Sequence, residues 1–576
     1  MQKEIIRREH VAADTSGLSD FHPLLQRIYS ARKVTSVDHL DRSLEQLHDY
    51  QSLLGIQLAT ELLAEAVMKD HSLLIVGDFD ADGATSTTVA MKALRLFGAS
   101  KVQFLVPNRF AYGYGLTPEL VEAAKEFAPD LIVTVDNGIA NHAGVAAAKA
   151  AGIKVVITDH HLSADTLPAA DAIVNPNQPN DPFPSKNLAG VGVIFYVMLA
   201  LRRYLVDHHW FADKNIPVPN MSQLLDIVAL GTVADLVPLD HNNRILVHQG
   251  LRRIRSGICT PGIIGLLEVG GRDFRRATAS DLGFAVAARL NAAGRLDDMS
   301  LGIECLLAED AVTARELARK LDQMNLERRT IEYDMQSQAL QALNELNEKL
   351  RGDLPRGLVL FDKCWHQGVI GILASRIKDR YHRPVIVFAP GTGSELKGSA
   401  RSIPGLHVRD AMALLDVKYP DLIIKFGGHA MAAGLTIHQD KLEDFTRLFD
   451  DVVSKQLTED QLRHCLVSDG ELSEDEISLE IASMLRDAGP WGQAFPEPLF
   501  DNKFQIVEQR LVGDKHLKLK LMKDKKMIDA IAFFVDTDQW PNHRCESIHA
   551  AYRLDVNEYK GRSNVQLIIE HMEEAL

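Results

Sequence analysis

Four short clusters of acidic and imidazole side chains in the first 240 residues carry the chemistry: Asp78-Phe79-Asp80-Ala81-Asp82-Gly83, Val135-Asp136-Asn137-Gly138, Thr158-Asp159-His160-His161 and Ala234-Asp235. Carboxylates brought together repel one another unless cations sit between them, because buried unpaired charge is costly. Oxygen ligands with one or two imidazoles suit Mn²⁺ or Mg²⁺ better than a thiolate-seeking metal. Two such ions held by shared carboxylates make a phosphoryl-transfer centre. Alternate residues of an extended segment point the same way, so the Asp-x-Asp spacing predicts that Asp80 and Asp82 address adjacent ions. Gly83 is expected to turn the chain sharply into a helix, and Asn137-Gly138 to form a tight turn that presents Asp136. His160 and His161 are neighbours whose side chains should diverge, one toward metal and the other toward substrate. A lone Asp or His reads as a cap or as core polarity; four clusters recurring at element ends read as a two-metal phosphoesterase.

These residues must be positioned by a sheet. Three of the clusters follow short apolar runs, Leu73 to Val76, Leu131 to Val135 and Val155 to Ile157. From about residue 70 to 240 such runs alternate with helical patterns, the reading for βαβ units. Side chains at the carboxyl ends of parallel strands then converge on one crevice. Residues 1–65 read as a polar, mostly helical preface. From Ala311 to Leu350 a long amphipathic pattern (Leu317, Leu321, Met324, Ile331, Met335, Leu340) runs without Gly or Pro. A continuous helix of that length would reach roughly 50–60 Å, a strut between lobes. A second α/β segment opens at Gly357 and carries Trp365-His366-Gln367-Gly368, Lys397-Gly398-Ser399-Ala400-Arg401-Ser402 and Phe426-Gly427-Gly428-His429. After about residue 460, short strand-like runs at Phe504–Val507, Leu517–Leu521, Ile528–Val535, Ile548–Val556 and Val565–Ile569 suggest a small β-barrel of the OB type.

Length and composition bound the rest. A chain of 576 residues exceeds one core, and 46% hydrophobic with 24% charged residues is an ordinary globular balance. The longest near-continuous apolar stretch, Val191 to Leu201, is too short to span a bilayer, and the start lacks the apolar core of a secretory signal. Five scattered cysteines fit a reducing cytosol and argue against a zinc module. Net charge of −15 weighs against a nucleic-acid coat protein but leaves room for a local basic channel, with Arg252, Arg253, Arg255 and Lys515 to Lys526 as candidates.

Weaker signals keep two readings each. Arg401 with Ser399 and Ser402, and His429 after Gly427-Gly428, suit a phosphate grip or a structural turn. Arg289, Asn291 and Arg295 are substrate contacts or plain helix-surface residues. His366 is a metal ligand or a cap. Lys515, Lys518, Lys520, Lys523, Lys525 and Lys526 form either a charged, protected strand edge or a track for a phosphate backbone, with Phe504 or Phe534 as stacking surfaces.

The Asp80-Ala81-Asp82-Gly83, Val135-Asp136-Asn137-Gly138, Asp159-His160-His161 and Gly427-Gly428-His429-Ala430 segments resemble the DHH phosphoesterase superfamily. Over essentially its whole length the chain is similar to that superfamily's bacterial single-strand-specific exonucleases. Asn108-Arg109-Phe110, Gly231-Thr232-Val233-Ala234-Asp235, Arg289 to Arg295 and Trp365-His366-Gln367-Gly368 fit that branch's other motifs. The resemblance implies two α/β lobes, a DHH domain (66–300) and a DHH-associated substrate-binding domain (353–455), joined by a long helix (301–352), with a C-terminal OB-fold β-barrel (456–576). It implies a 5′→3′ exonuclease that releases 5′-mononucleotides from single-stranded DNA in recombination and repair, using two Mn²⁺ or Mg²⁺ ions. One ion would be held by Asp80, Asp136 and Asp235 with Asp78, the other by Asp82, Asp136, His160 and Asp235. Asp136, Asp159 and His161 would be catalytic, with His161 on the scissile phosphate. Arg109, Arg289, Asn291, Arg295, Ser399, Arg401, Ser402 and His429 would bind the strand. Shorter DHH enzymes carry a His four residues before the first Asp; here Val76 stands there, and Asp78 is the expected replacement. A single-strand-binding protein and a recombination helicase are the implied partners of a cytoplasmic monomer. Two other classes fit less well: a phosphodiesterase for short oligonucleotides or cyclic dinucleotides, which leaves strut and barrel without a task, and a non-catalytic scaffold, which would be expected to lose metal acids.

Overall fold

The apolar runs that precede the acidic clusters become inner strands of a parallel sheet. The computed structural model describes residues 3–8, 16–107, 115–163, 166–349, 354–513, 515–559 and 562–575. The chain forms two units: His10–Asn325 with Ser483–Pro498, and Met1–Glu9 with Leu326–Ala482 and Leu499–Leu576.

In the first unit the sheet has five strands in the order Val102–Leu105, Leu73–Val76, Leu131–Val135, Lys154–Thr158, Ala172–Val174, all parallel. Leu73–Val76 and Leu131–Val135 are buried at every position, as expected for strands covered on both faces. The first strand in sequence lies inside the second, so the connections run opposite ways from the junction of Leu73–Val76 with Leu131–Val135. That junction is the topological switch point where α/β sheets open a crevice. The Ala81–Leu96 helix packs there almost wholly buried on Ala, Gly, Ser and Thr side chains. Thr87 and Thr88 return their hydroxyls to the Gly83 and Ala84 carbonyls at 2.8 and 2.7 Å, which satisfies polar groups that no water reaches. The apolar stretch around Val191–Leu201 is the buried part of the Gly190–Asp207 helix. Among the described residues no helix is long and apolar enough to cross a membrane.

The amphipathic pattern is one continuous helix, Ala311–Lys349, of 39 residues. It buries Ala314, Ala318 and Leu321 in the first unit. Past Leu326 it buries Met335, Ala339 and Leu343 in the core of the second, against Leu358, Leu373 and Val385. The second unit's α/β sheet has five strands in the order Lys425–Gly428, Ala432–His438, Glu395–Arg401, Val385–Pro390, Leu358–Phe361. Only the last pair is parallel.

The C-terminal strands close into a barrel: Phe500–Val512, His516–Lys523, Lys526–Ala532, Arg562–Glu574, Ser547–Tyr559 and back to the first. Four of the five apolar runs read from the sequence lie within these strands, and the fifth, Ile528–Val535, runs three residues past the end of Lys526–Ala532. Alternation fills the interior with Leu517, Leu519 and Leu521 and turns Lys518 and Lys520 outward. Phe504 also points inward, 2% exposed against Tyr552 at 5.6 Å, so it is core and offers no stacking face.

Two segments depart from a contiguous division. The preface is not self-contained: its strand Glu4–Arg7 pairs in parallel with Cys465–Ser468, more than four hundred residues away. The Ser483–Pro498 segment joins the first unit instead of the barrel. There Phe495 stacks on Tyr29 at 6.4 Å, and the Tyr29 hydroxyl donates to the Ala488 carbonyl at 3.0 Å. Such long-range exchanges leave no local pattern in a sequence.

Arg7 fastens the N-terminal strand to the barrel through Asp501. Its Nε and Nη2 donate to the buried carboxylate at 3.1 and 2.7 Å, joined by the Ser468 hydroxyl at 2.5 Å and His549 Nε2 at 3.0 Å. Burial alone would raise the Asp501 pKa; hydrogen bonds from Arg7, Ser468 and His549 outweigh it and hold it below the usual carboxylate value. A depressed carboxylate stabilises the fold above its unfolded pKa, and this contribution fades as pH falls through the folded value. Asp501→Ala is expected to cost about 2–3 kcal/mol near neutral pH. The difference from wild type should shrink below about pH 4, as read from urea unfolding at a series of pH values.

Candidate metal centre and nucleic-acid contacts

Asp78 and Asp80 follow the Leu73–Val76 strand, Asp136 follows Leu131–Val135, and Asp159, His160 and His161 follow Lys154–Thr158. All lie on the carboxyl edge of the sheet, at or beside its switch point. Asp235 arrives from the end of the Leu225–Ala234 helix. Ligand atoms fall into three sets, each within 4.8 Å: Asp78, Asp80 and Asp136; Asp82, His160 and Asp235; and Asp136, His160 and His161. His160 Nε2 lies 3.2 Å from Asp136, 3.5 Å from Asp235 and 4.0 Å from Asp82. Asp235 falls in one set only, whereas the resemblance placed it on both ions.

The geometry of Asp80 and Asp82 differs from the extended pair expected. Asp80 is the N-cap of the Ala81–Leu96 helix, and its Oδ1 accepts the Asp82 and Gly83 N–H groups at 3.0 Å. Asp82 lies one step inside the helix, and both its oxygens are met by another helix start: Gly190 N–H at 2.7 Å and Val191 N–H at 3.0 Å. A helix N-terminus stabilises a carboxylate through its unsatisfied N–H groups and its dipole. Gly83 has helical geometry and is small for another reason. A Cβ there would come within 2.5–2.7 Å of the Asp78 backbone. Gly190, Gly231 and Gly294 do the same service: added Cβ atoms would meet the Asp136 Cβ at 2.6 Å, the Thr85 hydroxyl at 2.2 Å and the Phe79 carbonyl at 1.8 Å. Asp136 itself holds a left-handed backbone, φ +62°, a strained conformation of the kind that clusters at functional sites. Asn137, fully buried, ties the switch point by donating to the Val76 and Val135 carbonyls at 3.1 and 2.9 Å.

Electrostatics give the centre its chemistry. Burial first, then the Asp80 charge, push Asp82 up to about 7 despite the N–H donors. Burial and then Asp82 and Asp80 lift Asp136 and Asp235 well above the carboxylate range. A set dominated by carboxylate oxygens with one or two imidazoles, its carboxylates destabilised as anions by mutual repulsion, fits divalent cations of the Mn²⁺ or Mg²⁺ type.

Asp159 lies behind this centre. Its Oδ1 accepts from the His160 and His161 N–H groups (2.7 and 3.1 Å) and pairs with His161 Nδ1 (2.7 Å), while Oδ2 accepts the Ile139 N–H at 2.9 Å. Burial opposes the shift, yet these donors and the histidine charges bring Asp159 down to about 2. It is a positioning residue. Burial would lower His161, but the Asp159 hydrogen bond and surrounding carboxylates raise it to about 9. The expected divergence of the two histidines does not occur: their rings lie 4.5 Å apart, tilted by 55°, and both reach the acid cluster.

The other sequence candidates are dispersed. Asn291 Oδ1 accepts the Ala81 N–H at 2.8 Å and so fixes the acidic loop. Arg289 pairs with Asp322 at 2.8 Å and donates to the Ala285 carbonyl at 2.7 Å. Arg295 is half-buried in the last turn of Ala288–Leu296, and Arg109 lies outside the described residues. In the second unit, Arg401 Nη1 donates to the Ser399 hydroxyl at 3.1 Å, and a Cβ on Gly371 would come within 2.9 Å of its guanidinium. Arg401 thus lies over the first turn of Ile370–Tyr381, beside N–H groups suited to an anion. Ser402 is buried, its hydroxyl donated to the Leu406 carbonyl at 2.8 Å, which serves the loop. His429 is exposed, its N–H donated to the Ala432 carbonyl at 2.8 Å. His366 Nδ1 accepts the Gly368 N–H at 3.1 Å, a turn cap. On the barrel, Lys523 faces Lys526 and Lys518 faces Arg510 across strand pairs, with Glu508 3.7 Å from Arg510 and 3.8 Å from Lys520 as partial compensation. Phe534 is 75% exposed, its ring 4.8 Å from His516. Gly190 and Gly371 escaped the sequence reading, and Gly231, Gly294 and Asn137 entered it only within motifs, without their packing role, since close approach leaves no mark in spacing.

Family models match three regions: DHH family, N-terminal domain over 72–232, DHHA1 domain over 355–455 and RecJ OB domain over 468–571. The chain is 54% identical over 572 residues to the single-stranded-DNA-specific exonuclease RecJ of Salmonella typhimurium, covering 99% of each chain. It is 52% identical to that of Escherichia coli, covering 99% of this chain and 100% of the other. Among solved structures it resembles RecJ from Thermus thermophilus in complex with Mn²⁺: TM-score 0.80, 27% identity, 100% of this chain and 80% of that one. The Mg²⁺ complex of the same protein gives TM-score 0.75 and 25% identity, covering 100% of this chain and 79% of that one.

Gly190→Ala drives a methyl group against Asp136 and pulls the helix start from Asp82. The variant should stay folded by circular dichroism but bind Mn²⁺ about 10–100-fold more weakly in calorimetric titration. Unchanged affinity would remove the helix start from the design of the centre.

Proposed function

This chain belongs to the RecJ family of single-stranded-DNA-specific exonucleases, and on that premise we propose how its residues divide the labour of 5′→3′ digestion to 5′-mononucleotides. The observation that carries the reading is the convergence of five aspartates and two histidines at the switch point of the parallel sheet. Asp78, Asp80 and Asp136 would hold one divalent cation, and Asp82, His160 and Asp235 a second, with Asp136 near enough to His160 to serve both. Manganese or magnesium ions bound there supply Lewis acidity to the attacking water and to the phosphate.

The protein's own groups do the rest. His161, with Nδ1 tied to Asp159, presents Nε2 to the phosphate and donates a hydrogen bond to its oxygen. The Asp159 hydrogen bond favours the protonated ring, the form that donates from Nε2. Water adds to the phosphorus between the first two nucleotides, and the bond to the first nucleotide's 3′ oxygen breaks. The products are a 5′-mononucleotide and a strand one unit shorter. Arg401 and Ser399, over the first turn of Ile370–Tyr381, suit a phosphate of the 5′ end, with His429 on the exposed neighbouring turn.

Lys518 and Lys520 point outward from the barrel hairpin, and Lys523 and Lys525 lie at its tip, a set of cations that a phosphate backbone could follow. Phe534 offers a stacking face that only an unpaired base can use, a reason for single-strand preference. A single-strand-binding protein and a recombination helicase are proposed partners, on the family reading alone.

The test is digestion of a single-stranded oligonucleotide labelled at either end, with and without Mn²⁺ or Mg²⁺, beside a matched duplex. Metal-dependent mononucleotide release from the 5′ end of the single strand is expected. Asp136→Ala should slow this on the order of 10³-fold while leaving strand binding intact. Cleavage confined to very short oligomers would replace the reading with an oligonucleotide phosphodiesterase. Phe534→Ala should weaken strand binding by about 1–3 kcal/mol, measured by fluorescence anisotropy at fixed salt.

A further inference from the structure

The Ala81–Leu96 helix begins in the acidic centre and ends in a different environment. Lys92 and Arg95, on its last turns, and Arg253, near the end of His241–Ser256, line a cavity of about 480 Å³. Its apolar wall is Leu96, Leu224 and Ile258. Among the described residues no carboxylate lies within ion-pairing distance of any of the three cations, and the buried Arg253 Nε has no hydrogen-bond partner. The nearby acids do not fill that gap. Glu309 lines the cavity and Asp226 lies behind it, and both act on Lys92 from beyond contact. Asp226 is fully buried and spends its Oδ2 on the Thr260 N–H at 2.6 Å. Counting both acids, the three cations still leave an excess of positive charge.

We infer that this cavity is a binding site for a free nucleotide, its phosphates held by Lys92, Arg95 and Arg253 and its ring laid on Leu96, Leu224 and Ile258. The chemistry is that of a phosphate ester with an apolar body. Arginine forks and a lysine take phosphate oxygens, and the volume lies in the range of pockets that enclose one small ligand. A strand of nucleic acid shares the phosphates but must leave the pocket in both directions, whereas a single nucleotide is held whole. The site is separate from the metal centre. Lys92 follows Asp82 by ten residues on one helix, about 15 Å at ~1.5 Å per residue. The Leu225–Ala234 helix spans the same interval in reverse, from beside Leu224 at the pocket to Asp235 at the centre.

The experiment is calorimetric titration of the full chain with ADP in EDTA, where divalent cations cannot recruit phosphate to the acidic centre. One site per chain is expected, weakened at least tenfold by Arg253→Gln and by Arg95→Gln, the latter at an exposed position that folding does not depend on. Inorganic pyrophosphate should bind the same site more weakly, because it lacks a ring. Absence of ADP binding, or binding equal in wild type and both variants, would overturn the site. Pyrophosphate binding as tight as ADP would remove the apolar wall from it. A thymidine tetranucleotide binding more tightly than ADP, and losing affinity in the same variants, would overturn the free-nucleotide assignment in favour of a DNA strand. Because EDTA silences digestion, none of these outcomes depends on the exonuclease reading.

Discussion

Five aspartates meet where the parallel sheet changes direction, and most local peculiarities of the first unit follow from accommodating their charge. Carboxylates this close and this buried favour protonation or a cation, and the lifted pKa values of Asp82, Asp136 and Asp235 record that pressure. The fold answers with fixed partial positive charge: the Gly190 helix start on Asp82, and the start of Ala81–Leu96 capped by Asp80. It answers also with proximity, since glycines at 83, 190, 231 and 294 let backbone come where a methyl group would collide. What remains uncompensated is the affinity for divalent cations.

The same side chain plays the opposite part a few residues away. Asp159 is as buried as Asp82 and both carboxylates accept N–H donors, yet the Asp159 pKa is depressed because the His161 ring and the histidine charges lie where Asp82 has Asp80. Asp501, in the other unit, is depressed for a related reason, gripped by Arg7, Ser468 and His549. Burial raises all three; partners decide the outcome. A metal centre and a structural clamp therefore differ not in residue type but in whether the nearest charged neighbours are further carboxylates or the cationic side chains of His and Arg.

Under the proposed function the second unit would bind the strand. Its antiparallel strands place Arg401 and Ser399 over a helix start, where they would neutralise one phosphate. Its barrel spends alternate positions of His516–Lys523 on core leucines and the others on lysines, so a single strand of the sequence supplies both stability and charge. Like charges at cross-strand positions are tolerable on such a face when an extended anion is the intended ligand.

The sequence by itself determined the elements and the identity of the centre. Apolar strand runs, acidic residues at their ends, an uninterrupted helical pattern and alternating barrel strands are local signals, legible because periods of 2 and 3.6 residues repeat along the chain. Only the tertiary structure decided how these residues act. It set Asp80 as a cap and Asp82 inside a helix, moved Asp159 behind the histidines, and turned Asn291 and Arg289 to structural work. It also put Phe504 in the core, and carried Glu4–Arg7 and Ser483–Pro498 to distant partners. The reason is physical: which face a side chain presents, and which backbone passes within 3 Å of a glycine, depend on residues hundreds of positions away, and spacing along one chain carries no record of them.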